Sequence, residues 1–148
     1  MSLYAIQHVV VPVDFSGEST AAVTKAMDLA DADPRRVHLI HVLANMSPAD
    51  PGVLWGEISD DNRVRHVKEA IVERGFHRDV NLMHMEVAFG DAGFRIADYA
   101  RKISADLIVI PSHGRTGIKR LLIGSVAERV IQYAHCPVLV LRTAQATG

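Results

Sequence analysis

Residues 107–126 read Leu107-Ile108-Val109-Ile110-Pro111-Ser112-His113-Gly114-Arg115-Thr116-Gly117-Ile118-Lys119-Arg120-Leu121-Leu122-Ile123-Gly124-Ser125-Val126. The first four side chains are apolar without interruption and mostly β-branched. A strand covered on both faces by helices has that composition, whereas a strand with one wet face alternates. A run of turn residues follows, and then a helix start. Ser125 and Glu128 stand in capping-box spacing, and Val126, Val130 and Ala134 recur at helical spacing. A buried strand, a glycine-bearing loop and a helix start together make the unit from which open parallel α/β sheets are built.

Working outward, the same alternation covers the chain. Apolar runs lie at Val9–Val13, Val37–Leu43, Asn81–Val87 and Pro137–Leu141. The run at 138–141 is continuously apolar, as a doubly covered strand requires, whereas 81–87 alternates and suits a sheet edge. Between them lie helical patterns. Ser16 can cap a helix whose Ala22, Val23, Ala26, Met27 and Ala30 share one face. Val64, Val67 and Ile71 form a second stripe ending near Gly75, a good residue to close a helix. Asp91 can cap a third helix with Ile96, Ala100 and Ile103 inward. Strands separated by whole helices pair in parallel, and right-handed crossovers put helices on both faces. The expectation is one domain over 1–148, an α/β fold with a doubly wound, open, parallel five-stranded sheet in the order 3-2-1-4-5. The stretch 44–57, with two Pro and two Gly, breaks the rhythm. A loop of that length after a strand is either a functional loop or a surface insertion.

Composition removes several classes of function. Sixteen Lys and Arg offset seventeen Asp and Glu, so no strong field gathers nucleic acid or an anionic membrane. Aromatics make up 5%, too few for a base-stacking platform. No apolar run approaches the ~20 residues of a membrane span. The first eight residues show no basic segment followed by an apolar core, and Cys136 is the single cysteine. A cytoplasmic protein is the expectation. The eight histidines show no ligand spacing: His38 and His41 fall on opposite faces of a strand. Cys136 reads as a packing residue.

Ligands of open parallel sheets bind beyond the carboxyl ends of the strands, where strand order reverses. Asp14-Phe15-Ser16-Gly17 follows the first strand, and the 111–117 loop follows the fourth. Glycines admit close backbone approach, and a helix start offers unpaired N–H donors with a partial positive charge. Arg115, Lys119 and Arg120 add positive charge nearby. This is an anion site in outline. It is neither a Walker-type loop nor a Rossmann fingerprint, because neither glycine pattern occurs.

Asp14 after Val11-Pro12-Val13, then Ser112-His113-Gly114, nine residues, then Gly124-Ser125, resembles the universal stress protein family, as does the ending Cys136-Pro137-Val138-Leu139-Val140-Leu141-Arg142. ATP-binding members carry Gly-x-x-Gly, nine residues, then Gly before Ser or Thr. Gly114, Gly124 and Ser125 match; Pro111 stands where the first glycine is expected. A proline has no N–H to offer a phosphate, a loss of ~1.5–3 kcal/mol if that glycine donates to a charged group. The resemblance implies an ATP-binding regulatory protein of the stress response, a sensor or signalling dimer pairing through about 137–142 and acting on a protein partner the residues do not name. AMP or ADP could replace ATP, and Mg²⁺ could accompany it. By position, Pro12, Val13 and Asp14 would flank the nucleoside, Asp14 also reaching a metal–phosphate. Val42 would lie against adenine. Ile110, Ser112, His113, Gly114 and Arg115 would wrap ribose and phosphates, and Gly124, Ser125 and Val126 would receive the phosphates. No arginine finger, catalytic base or dedicated phosphate lysine is evident, so hydrolysis should be slow at most.

Each of these residues also has a purely structural reading. Asp14 can cap the first helix with Ser16, Ser125 can serve only the capping box, and Gly114 and Gly117 can be turn glycines. Two rival functions follow: a nucleotide-free interaction dimer, with Pro111 as its support, and an adenine-using enzyme built around His113.

Overall fold

The computed structural model describes residues 6–45, 59–112 and 123–142. Chain order is β1 (Val9–Pro12), α1 (Gly17–Leu29), β2 (Val37–Leu43), α2 (Asp60–Arg74), β3 (His84–Phe89), α3 (Ala92–Lys102), β4 (Leu107–Pro111), α4 (Ser125–Tyr133) and β5 (Val138–Leu141). The strands form one five-stranded sheet in the order β3-β2-β1-β4-β5, and every neighbouring pair is parallel. The expected doubly wound α/β fold is therefore present. Strand order reverses between β1 and β4, the central pair.

Parity along the strands builds two cores. Val9, Val11, Val37, Leu39 and Val109 face Ala22, Val23, Ala26 and Met27 of α1 and Ile71 of α2. Val10, Ile40, Ile108 and Ile110 face Ile96 and Ala100 of α3 and Ala127 and Val130 of α4. Val9, Val10 and Val11 are wholly buried. Each buried Val or Ile contributes ~1.5–3 kcal/mol of transfer free energy, which makes the central strand the anchor of both layers.

Local chemistry sets the element ends. Ser59 Oγ accepts the Asn62 N–H and starts α2, and Gly75 closes it at φ 69°, a left-handed turn that glycine adopts without steric cost. Asp91 accepts the Phe94 N–H at 2.9 Å and starts α3. A Cβ on Gly93 would collide with Cβ of Arg129, so the glycine is what lets α3 and α4 cross closely.

Three sequence expectations are corrected. The third strand begins at His84, because Val80–Leu82 forms a 3-10 turn before it. Ser16 occupies the N-cap of α1, but its side chain makes no cap bond. Gly124 rather than Ser125 is the N-cap of α4, so no capping box forms. Ala127 and Val130 turn inward while Val126 is 40% exposed. The loop expected at 44–57 lies, from 46 onward, outside the described residues.

His38 is buried between β2 and α3. Its Nε2 lies 3.1 Å from His8 Nδ1 and its Nδ1 lies 3.1 Å from the Tyr99 hydroxyl. The His84 ring stacks on it at 4.3 Å. Burial, reinforced by His84 and His8, pushes the His38 pKa down to about 4. Burial and then the Glu86 charge push Tyr99 up to about 12. The unfolded chain binds a proton at His38 near pH 6.5, where the folded chain does not, so stability is full above that pH and falls as pH drops toward 4. Urea denaturation across this window should show a steeper acid loss for the wild type than for His38→Phe, which removes the titrating group. Equal slopes would assign the acid sensitivity elsewhere.

Candidate functional site

At the carboxyl end of the sheet, β1 comes away from its neighbours. Its register with β2 and that of β4 with β5 each run over four residue pairs, but β1 and β4 share only Val9↔Leu107 and Val10↔Ile108. The two strands are fastened at the opposite end, where Asp106 Oδ2 accepts the Gln7 and His8 amides at 2.8 and 3.0 Å.

Backbone parity explains the divergence, since N–H groups along a parallel strand point alternately to either side. The Val13 N–H donates to Ile40 O, which turns odd residues of β1 toward β2 and even ones, Pro12 among them, toward β4. The Ile108 and Ser112 amides donate to Pro137 O and Leu141 O, which turns odd residues of β4, Pro111 among them, toward β1. The two donors that would carry the β1–β4 ladder further are thus both prolines, which have none. The ladder stops and a crevice opens.

That crevice is a cavity of about 280 Å³, just below the ~300–1,000 Å³ of ligand sites. One wall is the turn after β1. Asp14 Oδ1 accepts the Ser16 N–H at 2.9 Å and the Ser19 hydroxyl at 3.0 Å, while Ser19 Oγ accepts the Asp14 N–H. Ser19 is 1% exposed. The capping alternative for Asp14 is therefore realised in part: its carboxylate braces the turn and also borders the cavity. The opposite wall is the start of α4. The Gly124 N–H donates to Ser112 O at 2.7 Å, and the first helical bond runs from Glu128 N to Gly124 O. Gly124 is thus not a free amide donor. The amides of Ser125, Val126 and Ala127 have no acceptor within the helix, and their residues line the cavity. Between the walls lie apolar groups from Pro12, Ile40, Val42, Ile96 and Ile110.

Nine of the residues singled out in the sequence border this one space: Pro12, Val13, Asp14, Val42, Ile110, Ser112, Gly124, Ser125 and Val126. His113, Gly114 and Arg115 lie outside the described residues. Sequence reasoning missed Ser19, Ile40, His41, Ala92, Ile96 and Ala127, which also line it. Most of these carry the signature of core residues. Ser19 alone had a signal, a hydroxyl one turn beyond Asp14 on the buried side of α1. Among the described residues no three His, Cys, Asp or Glu side chains converge as a metal site, and no helix is long and apolar enough to cross a membrane.

Known proteins resemble this chain in sequence and in fold. The family model for universal stress proteins matches residues 5–142. A universal stress protein of Methanocaldococcus jannaschii is 35% identical over 144 residues, covering 90% of this chain and 81% of that one. The universal stress protein A homolog 2 of Coxiella burnetii is 34% identical over 122 residues, covering 81% of this chain and 83% of its own length. Among solved structures, UspA of Lactobacillus plantarum superposes with a TM-score of 0.69 at 27% identity, covering 94% of this chain and all of the other. A universal stress protein solved in complex with cAMP superposes at 0.61 with 23% identity, covering 95% of this chain and 100% of that one, a likeness of fold. The match over 138 of the 148 residues, the relatives and the shared sheet order place this chain in the universal stress protein family.

Proposed function

We propose that the chain is an adenine-nucleotide-binding regulatory module of the stress response, with ATP as the expected ligand and AMP or ADP as alternatives. The observation that carries the reading is the cavity itself. It joins an apolar slot, suited to a purine, to a helix start whose free amides suit phosphate. The related protein solved with cAMP adds weight to an adenine ligand. In this reading the backbone edge of Val42 meets adenine and Val13 and Asp14 flank the ribose. Ser112, Ser125 and Val126 lie along the phosphates, with His113, Gly114 and Arg115 completing the loop. Asp14 is the single carboxylate lining the described cavity, so a Mg²⁺ ion would be held mainly by the phosphates, with Asp14 in support. Among the described lining residues there is no lysine or arginine to neutralise charge on a transferring phosphate, in keeping with slow hydrolysis at most. A homodimer through β5 is part of the proposal, supported by that strand's place at the sheet edge with its side chains half-buried. Action in the cytoplasm through a protein partner completes it.

Pro111 does not favour the nucleotide-free rival. Its nitrogen is turned toward β1, so a glycine there would donate into the sheet and not toward a phosphate. Pro111→Gly should therefore bring no gain in ATP affinity, measured by calorimetry, and a loss to the extent that the restored N–H re-forms the rung to Pro12 O, whereas a lost phosphate donor worth ~1.5–3 kcal/mol predicts a gain of roughly tenfold to a hundredfold.

Gly124→Val tests the placement of the phosphates. Gly124 sits at φ −62°, ψ 156°, which valine adopts readily, and the bond to Ser112 O is retained. The variant should keep its far-UV circular dichroism and lose at least about a hundredfold in ATP affinity, because a branched side chain enters the cavity mouth. Wild-type affinity in that variant would show that the phosphates lie elsewhere.

A further inference from the structure

Pairing parity says which groups β2 offers to β1. Ile40 O accepts the Val13 N–H, and Leu43 O accepts the Gly90 N–H from the β3 side. The N–H and C=O of residues 38, 40 and 42 therefore face β1. Continued by one rung, the ladder would run from the Val42 N–H to Val13 O. Among the described residues that bond is not made. Val13 O instead lies 2.6 Å from Nδ1 of His41. A carbonyl oxygen only accepts, so Nδ1 carries the proton and donates it. The Phe15 ring lies 5.2 Å from the imidazole, and the Asp14–Ser19 bonds turn the chain away from β2 immediately after Val13. Both His41 and Val42 line the cavity.

We propose that His41 is a positioning residue: its imidazole occupies the Val13 carbonyl and so keeps the Val42 backbone edge unpaired and open to the ligand. Without it, the Val42 N–H would close the next rung onto Val13 O and the β1–β2 side of the crevice would zip shut. Proline chemistry holds the β4 side of β1 open, and a side-chain donor holds the β2 side. The inference deepens the nucleotide reading above and rests on it for the identity of the ligand, but the freedom of the Val42 amide is a property of the ligand-free chain.

Amide hydrogen exchange followed by NMR on the ligand-free protein tests it directly. In the wild type, the Val42 amide should exchange at least about tenfold faster than that of Ile40, which lies inside the ladder. His41→Phe keeps a ring but loses the donor, and should slow Val42 exchange by about tenfold or more. His41→Leu gives the same reading if the Phe variant does not fold. His41→Asn, whose side-chain amide can replace Nδ1–H, should restore fast exchange. Calorimetry with ATP should follow the same order, with a loss of about tenfold in His41→Phe or His41→Leu and recovery to within about threefold in His41→Asn. Identical Val42 exchange in the wild type and the donorless variant would overturn the proposal whatever the affinities. The predicted exchange pattern in a wild type that binds no ATP, AMP or cAMP would support His41's hold on Val13 and overturn the nucleotide reading instead.

Discussion

Hydrogen bonding along β1 governs this molecule. At its beginning the strand is joined to both neighbours and buried by both cores, with Val9, Val10 and Val11 wholly inside. At its end the bonding stops on both sides within about two residues, and the cause is side-chain chemistry. Pro12 and Pro111 remove the next donors on the β4 side. On the β2 side, His41 takes the carbonyl that Val42 would otherwise use. The sheet is thus tight at one end and parted at the other. The parting falls where strand order reverses, which is where open α/β sheets place their ligands.

The fold was largely legible in the sequence, because apolar periodicity reports burial and burial on both faces needs a parallel sheet with helices on each side. The unbroken Leu107–Ile110 run and the stripe of Ala22, Val23, Ala26 and Met27 behave as their patterns require. Element ends were harder to read. Ser125 with Glu128 has the form of a capping box, yet Gly124 takes the cap: its N–H is drawn back to Ser112 O and the helix begins at Ser125, one residue earlier than a Ser125 cap would allow. Residues 81–83 look like strand by composition, but the chain is still turning there.

The candidate site was legible where residues break a pattern and hidden where they obey one. Pro12, Asp14, Ser112 and Gly124 interrupt or end apolar runs and so draw the eye. Ile40, Ile96 and Ala127 serve the core and the cavity wall at once, and nothing in their spacing separates the two tasks. In the sequence His41 suggests only a metal ligand, and its spacing from His38 speaks against that. Its bond to Val13 joins positions 28 residues apart, a relation that no local motif encodes. Pro111 shows the converse: the motif alone leaves open whether this departure loses a phosphate donor or only makes a turn, and strand parity, which no local motif encodes, turns its nitrogen toward β1.

In the reading proposed above, the parted end of the sheet holds an adenine nucleotide. The most direct measurement is to purify the wild-type protein without added nucleotide, denature it and identify what is released by chromatography. An adenine nucleotide in near-stoichiometric amount would bear the claim out. A protein that releases none, and that also gives no heat of binding with ATP, AMP or cAMP, would contradict it and turn attention to the dimer surface as the working part of the molecule.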